Sequence, residues 1–534
     1  MKLRRLSRFL LFLLTFFTSW AILHAQVRLP APDLKKVARE DRAFGDSPRF
    51  AVPLPASFSP DTQGSWESLP EGARRWVLEI ESPGALGLAA IFDDFYLPVG
   101  CELYCYAPGR AAERKRFTFM DNRKSRQFFT GFTRGERMVL ELYEPADQRG
   151  RTQLSCSRVD YAYNEIGLEP PVANPASSFG FGTSLDCHDN ANCPGSDDWE
   201  EAQRGVCRIV MVLEEGTGYC SGSLVNNTAE DETPYILSAY HCQDGYTPIY
   251  DLWRFDFHYQ SAGCQNPAQE PAAQSLLGCV ERAGWWESDF LLLEITAAIP
   301  ADYNLYFNGW DRSGTAPQSG YLFHHPSGDI KKRSRYVQPA VVQPTVIDWS
   351  INVTPPNHHY RVRYSEGTFE VGSSGSPLFG QDKLIYGQLH GGVGDCEEQP
   401  ITYYGRLSVS WDDGNSPETR LRDWLDPLGL GVDTLGGREQ QLSASVSIGG
   451  RIQNEAGVPV VNAEVIITGP VEDTVLTDES GLYTFFDVPL GGIVGLRAQK
   501  EDVAASGVSN FDIFHIAQHT LALQPLDSPH KMLS

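Results

Sequence analysis

Tyr235-Ile-Leu-Ser-Ala-Tyr-His-Cys242 runs from an apolar stretch through small residues to a histidine that stands beside a cysteine. The apolar run reads as a strand, and a bridge at Cys242 would restrict the backbone on which His241 sits. A histidine after a strand is more often structural than catalytic, but these neighbours hold an imidazole firmly enough for general-base work. Downstream, Gly372-Ser-Ser-Gly-Ser-Pro377 sets Ser374 between glycines on a tight turn ahead of the apolar Leu378 and Phe379. Glycine at 372 lets the N–H groups of Gly372 and Ser374 converge on one point, where an oxyanion could sit. An ordinary Gly/Ser linker is the bland alternative. Between the two segments, Ser288-Asp-Phe-Leu-Leu-Leu-Glu-Ile295 puts Asp289 at the head of an apolar strand. A carboxylate buried there needs a donor, and an imidazole N–H would supply one while fixing the tautomer. A turn-capping aspartate is the competing reading.

His241, Asp289 and Ser374 follow the chain order of chymotrypsin-type barrels, not that of subtilisin or the α/β-hydrolases. From Cys187 to about Leu435 short strand-like runs alternate with turn residues, and helical periodicity is confined to Glu418–Leu425, with Leu421, Trp424 and Leu425 on one face. That pattern predicts an all-β sandwich or barrel. Further segments carry a family likeness: Ser221-Gly-Ser-Leu-Val-Asn-Asn-Thr228, Ser288-Asp-Phe290, Gly309-Trp-Asp-Arg312, His324-His-Pro326, Gly387-Gln-Leu-His-Gly-Gly392, Tyr404-Gly-Arg406 and Asp423-Trp-Leu-Asp-Pro427. With the histidine and serine motifs, they make this region resemble the bacterial lysyl endopeptidase family, a branch of the chymotrypsin-like serine proteases.

The resemblance implies a double six-stranded β-barrel with the active site in the cleft between barrels. It also implies a serine endopeptidase that forms an acyl-enzyme on protein or peptide substrates. Ser374 would be the nucleophile, His241 the base, Asp289 its orienting carboxylate, and Gly372 and Ser374 the oxyanion donors. Trp349 and His390 match an aromatic and a histidine that the family places beside the catalytic imidazole, and Gly391, Gly392 and Thr402 fall in the substrate pocket. By the same resemblance Cys187 pairs with Cys396, Cys193 with Cys264 and Cys220 with Cys242, which leaves Cys207 and Cys279 as an extra pair by subtraction. An inactive protease-like binding or adhesion module is the competing function, disfavoured because all three triad residue types are present with their flanking motifs.

Lysine specificity in such a family needs a carboxylate at the base of the pocket, since a buried, unpaired ammonium costs several kcal/mol. Aligned on Tyr404-Gly-Arg406, that position holds Thr402; Asp395, Glu397 and Glu398 lie nearby, but none aligns. Moreover, Val159 to Gln203 contains no Lys or Arg. Preference for a neutral, polar or small residue before the scissile bond is therefore expected.

A length of 534 residues predicts several domains. Residues 1–25, with Lys2, Arg4, Arg5 and Arg8 before the uncharged Phe9–Leu23, read as a secretory signal, so the protein is expected to be secreted. Residues 26–177 read as a β-sandwich-like prosegment, with strand patterns at Trp76–Glu81 and Met138–Tyr143. Gly84-Ala-Leu-Gly-Leu88 and Phe95-Tyr-Leu-Pro-Val-Gly100 resemble the same family's prosegment, which would act as an intramolecular inhibitor and folding aid; a stand-alone carbohydrate- or protein-binding sandwich is the alternative. A Pro-, Ser- and Gly-rich connector leads into the protease domain, residues 178–437. Residues 438–502 hold a linker and a small β-sandwich that, through Gly449-Gly-Arg-Ile452 and Thr477-Asp-Glu-Ser-Gly-Leu-Tyr483, resembles the carboxypeptidase regulatory-like, transthyretin-like fold. Residues 503–534 resemble a truncated dockerin-like repeat, in which Ala504 and Ser506 stand where a calcium loop wants carboxylate or amide oxygens.

The formal charge of -24 disfavours nucleic acid and anionic membranes as partners. Eleven cysteines in an exported chain without a CxxC pair suit disulfides rather than metal. HExxH is absent and the His324-His325 and His358-His359 pairs lack ligand-spaced partners, so no metal or other catalytic cofactor is expected. Those paired histidines are read as packing or surface residues, and the mature protein as a monomer.

Overall fold

Every residue of Val206–Leu213 and Gly216–Val225 is buried, as expected of strands covered on both faces. They form a hairpin in the computed structural model, which describes residues 26–43, 48–163, 180–349, 352–397, 400–441, 445–454, 457–469, 471–489 and 494–500. The signal segment, the connector 164–179 and the dockerin-like tail lie outside the described residues.

From the hairpin the ring of strands passes through Tyr235–Ala239 and Phe290–Ile295 to Cys279–Trp285. The stretch just before it, Gln274–Leu277, pairs with Arg254–Phe257, which returns to Val206–Leu213. With Gln274–Trp285 taken as one bent strand, this is a closed six-stranded barrel, filled by Ile209, Met211, Leu224, Ile236, Phe255, Leu291 and Leu293.

The second ring runs Lys332–Tyr336, Gly320–His324, Pro377–Phe379, Ile385–Val393, Ile401–Arg406 and His359–Arg363. A bridge between Arg335 and Glu366, with Val341–Val342 lying on His359–Arg363, closes it. Leu322, Tyr336, Tyr360, Leu378, Leu389 and Tyr404 fill its core. A further apolar layer with Leu237, Phe290 and Leu292 of the first barrel and Phe323, Phe379 and Ile385 of the second joins the two. Leu421 and Leu425, from the helical end of the region, are buried in that layer. The all-β, chymotrypsin-like double barrel is thus the observed architecture.

The N-terminal region is a sandwich of two sheets around Trp76, Leu78, Leu88, Phe92, Leu103, Leu140 and Leu142. One of its sheets is continuous with the first barrel: Arg49–Phe58, which pairs with Gln153–Ala162, also meets Gly216–Val225, Ala51 opposite Thr217 and Arg49 opposite Gly218. Phe50 stacks on Tyr219 with centroids 4.2 Å apart, within a cluster that mixes Ala89, Phe129 and Ala162 with Val210, Val212 and Leu252. At the C-terminal end, Ser445–Arg451 pairs with Leu482–Pro489, and Glu464–Thr468 lies between Asp473–Leu476 and Gly495–Gln499. Val465, Ile467, Phe485 and Val488 form the small core of this unit.

Bridges join Cys187 to Cys396, Cys193 to Cys264 and Cys220 to Cys242. The subtraction that paired Cys207 with Cys279 fails: both are free and buried. Cys207 lies opposite Phe257, whereas Cys279 heads Cys279–Trp285, whose strand partner is Phe290–Ile295. Cys101, Cys105 and Cys156 are also free and buried, inside the N-terminal sandwich.

Candidate active site

Strand ends bring the chemistry together. Tyr235–Ala239 delivers His241 on the single turn Tyr240–Cys242, and Asp289 sits at the entry to the neighbouring Phe290–Ile295. Asp289 adopts φ +57°, a left-handed conformation that a short polar side chain tolerates. Ser374 comes from the other barrel, on the turn ahead of Pro377–Phe379. His241 Nδ1 lies 2.8 Å from Asp289 Oδ2, and His241 Nε2 lies 2.8 Å from Ser374 Oγ. The His241 backbone N–H donates to Asp289 Oδ1 at 2.9 Å, so one carboxylate fixes both the main chain and the ring. Burial pushes the Asp289 carboxyl above its ordinary range, opposed by the charge and hydrogen bonds of His241.

The serine turn is anchored from both barrels. Ser221 N–H donates to Ser374 O at 2.8 Å, Ser221 Oγ donates to Gly372 O at 2.8 Å, and Gly375 N–H donates to Leu389 O at 2.8 Å. Gly372 has φ +92°, and a Cβ there would stand 2.9 Å from His325 O. Glycine is therefore required both by the backbone and by the space. Among the described residues neither the Gly372 nor the Ser374 N–H has a protein acceptor, which is the state an oxyanion site requires.

Behind His241 stands a column of rings. His390 stacks on it at 5.0 Å and 14°, and Trp349 stacks on His390 at 3.8 Å and 20°. His390 Nδ1 lies 3.4 Å from Asp289 Oδ2 and 3.0 Å from His359 Nε2. Burial holds His390 well below the ordinary imidazole range and His359 down at about 3, and the neighbouring histidines add to both shifts. Both rings are neutral near pH 7, so they bring no second cation to His241. From sequence alone His359 reads as a packing or surface residue. Its link to the site arises because His359–Arg363 is tied through Ile401–Arg406 to Ile385–Val393, and no local pattern encodes that.

Gly391 and Gly392 lie on Ile385–Val393, opposite Tyr403 and Thr402. Beyond Gln388 that strand no longer pairs with Pro377–Phe379, so among the described residues Gly391–Val393 has no strand partner on that side. Thr402 is fully buried, with its hydroxyl donating to Val362 O at 3.3 Å. Asp395 and Glu397 are exposed on the following loop, and Glu398 lies outside the described residues.

The description "Lysyl endopeptidase, C-terminal domain" belongs to the family model that matches residues 181–405, a span that holds all three residues of the relay. A lysyl endopeptidase of Pseudomonas aeruginosa is 26% identical over 404 residues, covering 70% of this chain and 82% of that protein. Over residues 181–405 this chain is similar to the lysyl endopeptidases. That similarity supports a serine protease. Solved structures that align with it include the MamO protease domain from Magnetospirillum magneticum, at 10% identity and a TM-score of 0.27, over 41% of this chain and 100% of that one. The thermostable serine protease AL20 from an extremophilic microorganism aligns at 13% identity and a TM-score of 0.27, over 38% and 91%. Likenesses this low carry no argument of their own.

Proposed function

We propose that the protein is a secreted serine endopeptidase whose pocket does not select lysine. The hydrogen-bonded line Asp289–His241–Ser374 carries the reading. Ser374 Oγ attacks the scissile carbonyl carbon while His241 Nε2 takes its proton. The N–H groups of Gly372 and Ser374 hold the oxyanion, and Asp289 stabilises the imidazolium. His241 returns the proton to the leaving amine as the acyl-enzyme forms. A water, deprotonated by the same nitrogen, then releases the acid and restores Ser374. The open edge at Gly391–Val393 suits a substrate backbone added as an antiparallel strand.

Two observations support neutral specificity. Thr402 offers a hydroxyl, already donated to Val362 O, where a lysine ammonium would need a carboxylate. Of the acids nearest in sequence, the two among the described residues, Asp395 and Glu397, face solvent. Processing in a connector without Lys or Arg agrees with this. The test is labelling of Ser374 by a fluorophosphonate, abolished in Ser374→Ala, followed by digestion of a denatured protein mixture with cut sites read by mass spectrometry. Absence of labelling refutes the protease reading. Dominant cleavage after Lys refutes the pocket reading alone.

A further inference from the structure

Gly182 to His188 follows the connector directly and lies against the back of the serine turn, held there by two buried carboxylates. Asp329, 1% exposed, accepts from Gly182 N–H at 2.7 Å, Ser184 Oγ at 2.6 Å and Ser184 N–H at 3.3 Å. Glu370, with a side chain 7% exposed, accepts from Leu185 N–H at 2.8 Å and Ser327 Oγ at 2.5 Å, and its Oε1 lies 2.8 Å from His188 Nε2. Thr183 Oγ1 adds a bond to Ser327 O at 3.3 Å, and Cys187 is bridged to Cys396.

Glu370 reaches the turn that carries the oxyanion donors both directly and through Ser327. Ser327, left-handed at φ +53°, donates its N–H to Val371 O at 2.7 Å, and the His325–Gly328 backbone fills the space beside Gly372. Glu370 opens the turn: its N–H donates to Ser373 Oγ at 3.1 Å, and its carbonyl accepts from Ser373 N–H at 2.9 Å. Ser373 Oγ in turn lies 2.7 Å from His324 Nδ1. Glu370 thus sets the turn with its main chain while its side chain faces away from the relay and is gripped by the 182–188 segment.

Building on the protease reading, we propose that Glu370 is a positioning residue for the oxyanion turn, engaged by Leu185, His188 and Ser327 in the uncut chain. Its donors are an internal amide, a ring and a hydroxyl, and none of them is a chain terminus. Order in the turn therefore does not wait for a new terminal ammonium created by cleavage. Control of the precursor falls instead on access to the cleft, and a small reagent reaches Ser374 before processing.

The experiment uses the full chain, with the uncut form verified by intact mass and then reacted with a fluorophosphonate whose label is followed separately on the uncut and processed bands. The uncut band is expected to react at a rate within about tenfold of the processed one. Glu370→Gln keeps the shape but leaves a donor unanswered; it should slow labelling of both bands and lower kcat by about 10- to 100-fold, with KM within about threefold and a thermal midpoint lowered by only a few degrees. Should that variant fail to fold, Ser327→Ala, which removes one donor to Glu370, is expected to slow labelling several-fold. An uncut band that stays unlabelled while the processed band reacts overturns the proposal. So does a wild-type labelling rate in the Gln variant or, where that variant does not fold, in Ser327→Ala. If neither band of the wild type reacts, the protease reading falls together with it.

Discussion

In the proposed reading, Thr402 sets which side chain the pocket accepts. Thr402→Asp would place a carboxylate against Gly392 and Val362, where an incoming ammonium lacks a counter-charge. Pairing a desolvated charge is worth a few kcal/mol, so the ratio of kcat/KM for lysyl over alanyl substrates should rise by about tenfold or more. An unchanged ratio, measured on matched peptides, would place the pocket elsewhere. The buried imidazoles carry a second prediction. His324, His325 and His390 lie well below the ordinary range, and His359 lies at about 3, in each case through burial first. An unfolded chain protonates them near pH 6.5 while the fold keeps them neutral, so the unfolded state binds more protons below that pH. Stability is retained above about 6.5 and falls as the pH drops, by up to about 1.4 kcal/mol per pH unit for each ring until its folded value is reached. Urea midpoints near pH 7.5 and near pH 5 check this, and equal midpoints would rule it out. His241, Asp289 and Ser374 are legible in the sequence because each sits in a short segment whose chemistry is local. His359 and Glu370 are not, since their partners come from distant strands and segments.

Whole strands were readable wherever the pattern was apolar and bounded by turns, as in Tyr235–Ala239 and Phe290–Ile295. Their pairing was not. Cys207 and Cys279 look like partners when cysteines are counted, yet Cys207 lies opposite Phe257 and Cys279 opposite Ile295, and both are free. Arg49–Phe58 carries Pro53 and Pro55, which argue against a strand interior, but it forms the seam between the N-terminal sandwich and the first barrel. Arg49 is held there by Asp41 at 2.8 Å and donates to Glu215 O at 3.0 Å. The bridge from Cys187 to Cys396, with a sequence separation of 209, ties down the loop that follows Gly391–Val393. Replacing both cysteines by serine should cost about 3–5 kcal/mol, the range for closing a long loop. It should also raise KM more than it lowers kcat, because Cys396 ends the loop that leaves Gly391–Val393, whereas Ser374 is anchored independently by Ser221 and Leu389. Equal urea midpoints for the oxidised wild type and the double variant would contradict this ranking.

At the scale of the molecule, the N-terminal sandwich and the first barrel share a sheet and an apolar cluster, with Phe50, Phe129 and Ala162 on one side and Val210, Val212 and Tyr219 on the other. Polar bonds reinforce the seam: Arg158 Nη1 donates to Leu213 O at 2.7 Å, and Thr217 Oγ1 donates to the buried Asp160 at 2.5 Å. An interface that resembles a divided core does not separate when a distant link is cut. After cleavage within 164–179 the two parts should therefore co-elute in gel filtration as a noncovalent complex. Gly216 is the point at which to test the seam, because a Cβ there would stand 2.0 Å from Ala51 O while φ is +145°. In Gly216→Val the barrel hairpin cannot close on Arg49–Phe58, and the cut fragments should dissociate on the column, with affinity reduced by about 100-fold or more. Phe50→Ala separates loss of docking from damage to the barrel, since it leaves the hairpin unaltered and empties the stack on Tyr219, at a cost of about 3–5 kcal/mol. Persistent co-elution of the cut Phe50→Ala protein would mean that the shared sheet, and not the apolar cluster, holds the two parts together.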